Sequence, residues 1–232
     1  MSSTENARTI GALYLLSAVT AGVPLIYVSS TMIVPDSARA TADRILASEV
    51  LFRASMVSQL IGAITLLFVV RALYRLLCGV NKTQASLMVT LVQLSVPITF
   101  LSVASEMTAL TLLRGDPLLS LSDRSQRDLL AMVFLSLHDS GVNLASIFWG
   151  LWLVPFGALV ARSVFLPRVL GILLILNGIA VVAVSLTTLL LPTYQDLVNR
   201  IAIIPELGEL WMMIWLLVKG VKVLPTGKLK TE

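Results

Sequence analysis

The chain is poor in the residues that most often mark chemistry. Its 232 residues include one cysteine, Cys78, and one histidine, His138. A lone cysteine excludes an intrachain disulfide, a thiolate metal cluster and a paired redox motif, and a lone histidine excludes a bis-histidine haem. No HExxH or GxSxG motif occurs, and no glycine-rich phosphate loop precedes a helix. Neither a metal nor a cofactor is expected, and with no nucleophile constellation the reading leans away from an enzyme. Charge is scarce as well, at 13% of residues, where a soluble domain carries about a quarter. The net charge is +4 and aromatics make up 6%. The basic residues sit at the ends of apolar runs and are not interleaved with aromatics, so nucleic acid is discounted as a partner.

What the sequence does have is apolar length. Hydrophobic residues make up 57% of the chain, and a membrane span needs about 20 predominantly apolar residues. Six spans are predicted, at about 10–28, 51–73, 87–110, 129–160, 169–190 and 205–224. Breakers separate them: Pro35-Asp36, Gly79 to Lys82, Arg114 to Pro117, Pro167 and Pro192. The first run is longer than the apolar core of a signal peptide and reads as a retained span. No long linker or repeat interrupts the chain. The expected fold is all-α, a polytopic bundle of six transmembrane helices forming one domain over residues 1–232.

Lysine and arginine set the orientation. If the N-terminus is inside, the inner segments hold ten basic residues, including all five lysines, and the outer segments hold seven. Nearly all acidic residues fall on the outer side. The positive-inside rule then places both termini in the cytoplasm. Two outer connectors look structured. Asp36 or Ser37 can cap a short helix leading into span two, and Ser122 can cap the approach to span four.

Ionisable residues within apolar runs mark function or pairing. Counting at about 1.5 Å per residue from the basic end of each span puts Glu49, Arg53, Glu106, His138, Asp139, Glu206 and Glu209 in the outer half. The stretch FLSLHDSGVN at 134–143 resembles a compressed Ser-His-Asp triad. On a helix, however, successive side chains point about 100° apart, so these three cannot hydrogen-bond in series. His138 shares a face with Gly141, Val142 and Ala145, small or slim residues that admit a neighbouring helix. Asp139 is expected to turn to water or to Arg53. Glu49 and Arg53 are spaced as an i,i+4 ion pair. Glu206 follows Pro205, which suits the first turn of span six. The four tryptophans, Trp149, Trp152, Trp211 and Trp215, are spaced as packing or interface stripes and are given no cofactor role.

The stretches ARTIGALYLL (7–16), ILASEVLFR (45–53), SLHDSG (136–141), FLPRVLGILLILNG (165–178) and LGELWMMIWLLVKGV (207–221) together resemble the bacterial membrane proteins of the domain of unknown function 4386 family, across nearly the whole chain. The resemblance implies a six-span fold in a bacterial cytoplasmic membrane and a role for Arg8, Arg53, His138 and Glu209. It supplies no activity. Where relatives carry aromatic or further histidine residues after the Leu-His pair, this chain has Asp139, Val142 and Trp152.

Three functions stay open on these grounds. An outward polar crevice with Arg53, Glu106, His138 and Glu209 as ligand-binding residues would hold a small amphipathic molecule or a lipid. A structural or regulatory subunit would use the same residues as helix glue. An intramembrane lipid-modifying enzyme would use His138 as acid–base group. The lipid bilayer is the expected partner in all three.

Overall fold

The computed structural model describes residues 3–115 and 123–220, with side chains throughout these except at 3–6 and 203–206. Seven α-helices account for most of the described residues: α1 (Ser3–Tyr27), α2 (Ala38–Ala47), α3 (Glu49–Leu77), α4 (Lys82–Arg114), α5 (Arg124–Arg162), α6 (Arg168–Leu190) and α7 (Gln195–Val218). Among the described residues six helical stretches are long and apolar enough to cross a membrane, all but α2. The outside of the bundle carries exposed Ile26, Phe68, Leu101, Val133 and Ile179. An apolar exterior of this kind suits lipid, where helices satisfy their own backbone groups.

The six long helices pack as a closed ring in the order α1, α3, α4, α5, α6, α7 and back to α1. Short connections make successive members antiparallel, so α2 caps one end and the start of α1 and the end of α7 share the other. The ring is stacked in layers. At the terminal end Tyr14, Leu73, Met88, Phe156 and Met212 are among the residues forming an apolar plug. At the α2 end Met32, Ile45, Phe52, Val103 and Leu135 belong to a second. Between them lies a belt of buried polar side chains that includes Ser17, Gln59, Ser95, Thr99, Ser102, Glu106 and His138.

Helix α5 meets α6 along a seam with glycines at its closest approaches. A Cβ on Gly157 would stand 2.4 Å from the Gly171 carbonyl oxygen, and one on Gly150 would stand 2.7 Å from that of Gly178. One heptad further along the same register, Asn143 Nδ2 donates to the Ser185 carbonyl at 3.3 Å. Small residues of this kind let membrane helices approach at backbone distance.

The ends of the helices follow local rules. Ser37 caps α2, accepting from Ala40 N at 3.2 Å, as the sequence suggests. Asp123, not Ser122, caps α5, accepting from Ser125 N at 2.9 Å, and Ser122 lies outside the described residues. Gly115 ends α4 in the left-handed region, with φ 72°. At the terminal end Arg8 Nη2 donates to the Val218 carbonyl at 3.3 Å, placing a cation on the last turn of α7.

The sixth span differs from expectation. Helix α7 begins at Gln195 and runs through Pro205, so Glu206 is not in a first turn, and its side chain lies outside those described. The cause is the medium: neighbouring helices and hydroxyls can satisfy the carbonyl a proline frees, so proline need not end a membrane helix. Pro24 shows how. Its missing N–H leaves the Thr20 carbonyl without a helical donor, and Ser58 Oγ of α3 donates there instead at 2.8 Å. Beyond Pro24, α1 widens into a π-helical turn over Val28–Met32, a distortion that is frequent at functional sites.

Candidate functional site

The polar belt holds two hydrogen-bonded groups, one toward each end. The first joins α3, α4 and α5. Glu106 is 1% exposed and His138 5%. Gln59 Nε2 of α3 donates to Glu106 Oε2 at 3.0 Å. His138 Nδ1 stands 3.2 Å from the Ser102 carbonyl oxygen, and since a carbonyl only accepts, Nδ1 carries the hydrogen. That leaves His138 Nε2 facing Glu106 Oε1 at 3.6 Å. The two atoms need one proton between them to attract: either imidazolium faces carboxylate or imidazole faces carboxylic acid. Gly141 makes the approach possible, since a Cβ there would lie 2.1 Å from Ser102 Oγ. The small face expected beside His138 is therefore the one α4 packs against.

The second group joins α1, α5 and α7. Tyr14 Oη donates to Glu209 Oε1. The Tyr14 ring meets Trp152 edge-on at 5.8 Å, and Trp152 stacks on Phe156 at 5.3 Å. Aromatic pairs in these arrangements hold ring positions firmly.

Two cavities adjoin these groups. The larger, of about 280 Å³, lies inside the ring between α1, α3, α4, α5 and α7; Tyr14, Gln59, Leu66, Trp149, Trp152 and Glu209 are on its wall. The smaller, of about 220 Å³, is bounded by the π-helical part of α1 and by α4 and α5; Ser29, Glu106, His138 and Asp139 are on its wall. Leu25 and Val142 line both. Gln59 stands in the wall of the first and holds Glu106 in the wall of the second, so the two spaces are neighbours through a polar contact as well.

The structure thus brings Glu106 and His138 together and sets the other two expected site residues apart. Glu209 is nearer the Val218 end of α7 than its Gln195 start, and stands beside Tyr14 on the wall of the larger cavity. Arg53 sits at the α2 end, half exposed, donating to Glu49 Oε1 at 2.7 Å; Arg114 approaches the other oxygen of Glu49 at 3.6 Å. Arg53 lines neither cavity. Asp139 is exposed on the smaller cavity's wall, while Arg53 forms the ion pair expected with Glu49. His138, Asp139 and Ser140 do diverge: Ser140 Oγ turns back to the Ser136 carbonyl at 2.9 Å. Among the described residues no three His, Cys, Asp or Glu side chains converge as a metal site.

Sequence reasoning passed over Tyr14, Gln59 and the Ser102 carbonyl. Gln59 carried a signal, being the lone amide in the apolar run of α3. The backbone oxygen of Ser102 carried none, because any residue there supplies one.

Fold and site define a multi-pass membrane protein with a polar, cavity-bearing layer inside a six-helix ring. The chain belongs to the family described as Domain of unknown function (DUF4386), matched over residues 9–220. No curated protein matches it, and no solved structure does.

Proposed function

We propose that the chain binds a small amphipathic molecule inside the ring, with its apolar part in the larger cavity and its polar part against Glu106, His138 and Asp139. The adjoining of an apolar, aromatic-walled space and a polar one at Leu25 and Val142 carries this reading. Ligand pockets pair a largely apolar wall with a few placed polar groups over roughly 300–1,000 Å³, which the two spaces together match. In this reading Arg53, which lines neither cavity, does not touch the ligand, and Glu209 lies beside Tyr14 on the wall of the larger cavity.

Native mass spectrometry of the gently solubilised protein, wild type beside His138→Gln, tests it. The expected result is a specific adduct on the wild type that is lost from a variant whose thermal midpoint is unchanged. Absence of a specific adduct from both would count against the reading. A variant that keeps the adduct and loses stability would favour the structural-subunit reading. That second reading has its own support in the way Gln59, Glu106, His138 and Ser102 tie three helices together.

We further read the chain as one domain of a bacterial cytoplasmic membrane with its α2 end facing out. The lysines support this, Lys82 and Lys219 both lying at the terminal end. Cys78, the lone thiol, follows α3 at that end and is partly exposed. A membrane-impermeant maleimide should therefore label inverted vesicles and leave right-side-out spheroplasts unlabelled; the opposite pattern reverses the orientation.

A further inference from the structure

The charge of the cavity walls narrows the ligand class. This step rests on the amphiphile-binding reading above and deepens it. Neither cavity has an arginine or lysine on its wall. The polar chamber instead presents two carboxyl groups, Glu106 and Asp139, against one imidazole. With one proton shared between His138 and Glu106 that pair is neutral, and with none it is negative, so beside Asp139 the chamber has no net positive charge to offer. A fatty acid, sulfate or phosphate head would meet a like charge there with no cation to offset it, and such juxtaposition discriminates strongly between partners. A positively charged nitrogen head is complementary. The larger chamber suits what would follow the head: its wall is mostly apolar and carries Tyr14, Trp149 and Trp152, rings that also tolerate a nearby cation on their faces, and its one carboxyl, Glu209, accepts from Tyr14. Volumes of about 280 and 220 Å³ fit one slender tail and a small head, and are too small for a two-chain phospholipid.

We propose that the interior site takes an amphipathic organic cation, a single ammonium head on an apolar tail, with the head between Asp139 and Glu106 and the tail among the aromatic rings of the larger cavity.

The test uses the full chain in phosphatidylcholine nanodiscs and three probes of one chain length: decyltrimethylammonium, decyl sulfate and decanol. Tryptophan fluorescence reports occupancy, and the variant with Trp149→Phe and Trp152→Phe separates the cavity signal from that of Trp211 and Trp215. The expected result is saturable binding of the ammonium at least about tenfold tighter than the other two, a difference of about 1.4 kcal/mol. Asp139→Asn should remove most of that preference, and its exposed position makes it safe for the fold; Glu106→Gln is the second variant. Saturable binding of all three probes alike would overturn the cation assignment and leave the amphiphile reading standing. Saturable binding of none would overturn both. Selective ammonium binding untouched by either substitution would overturn the placement of the head.

Discussion

Gly157→Ala should be among the most damaging single-methyl changes in the molecule. The added Cβ would lie 2.4 Å from the Gly171 carbonyl oxygen, with Ile175 N at 3.0 Å. Both are backbone or tightly held, so no flexible side chain can swing aside and the helices themselves must part. Parting them also opens the Gly150–Gly178 contact one heptad away. Alanine is the better helix former by about 1 kcal/mol, which acts in the opposite direction. Overpacking costs about 1–3 kcal/mol and occasionally more; a backbone clash this close belongs at the top of that range, so a net loss of about 2 kcal/mol is expected after the propensity gain. Gly22→Ala is the control, because a Cβ there meets nothing within 4 Å and the helix-propensity gain stands alone. Equilibrium unfolding in mixed micelles reads both. If Gly157→Ala proved as stable as Gly22→Ala, close packing of α5 on α6 would not be what holds that side of the ring.

Removing the Gln59 amide should be the second large effect. Glu106 is 1% exposed and takes its hydrogen bond from Gln59 Nε2 at 3.0 Å. Leucine at position 59 keeps the volume and leaves a buried carboxyl oxygen without that donor. Leaving a buried polar group unsatisfied costs about 1–3 kcal/mol. Hydrogen bonds between membrane helices average only about 0.6 kcal/mol, since the unfolded chain in lipid finds other partners. Here the orphaned group is enclosed among three helices, so the upper part of the range is expected. The decisive comparison is the double variant Gln59→Leu with Glu106→Leu. Taking both partners away can be nearly neutral, so the double variant should recover most of the loss. A double variant as unstable as the sum of the singles would mean that His138 and Glu106, not Gln59 and Glu106, form the dominant link.

The spans were legible in the sequence because apolar length is a composition signal, and α3 to α6 extend the expected segments only by short flanks. Span six was misread because Pro205 was given its meaning in water. The cluster of Glu106 with His138 was half legible. Depth counting puts both toward the same end, and the slim face at Gly141 announces a close neighbour. Which neighbour it is depends on ring order, and one sequence carries no information on that. Glu209 was legible as an ionisable residue within an apolar run, but its partner Tyr14 was not, because the sequence does not say that α1 and α7 meet. Arg53 reads as a site residue in an apolar run, yet i,i+4 spacing to Glu49 already offered the simpler account that the structure bears out.

The closed ring has a consequence for biosynthesis. Helix α1 is made first and α7 last, and the contact that shuts the ring is between those two, with Tyr14 and Glu209 separated by 195 positions along the chain. Until α7 leaves the ribosome, the inner face of α1, with Tyr14 and Ser17, has no α7 to rest against. The half-made protein is an open trough in the membrane with its polar belt uncovered on one side. An insertase or a chaperone that shields polar groups in lipid would have its longest hold on α1, and a stop codon placed before α7 would leave that trough permanently open to quality control.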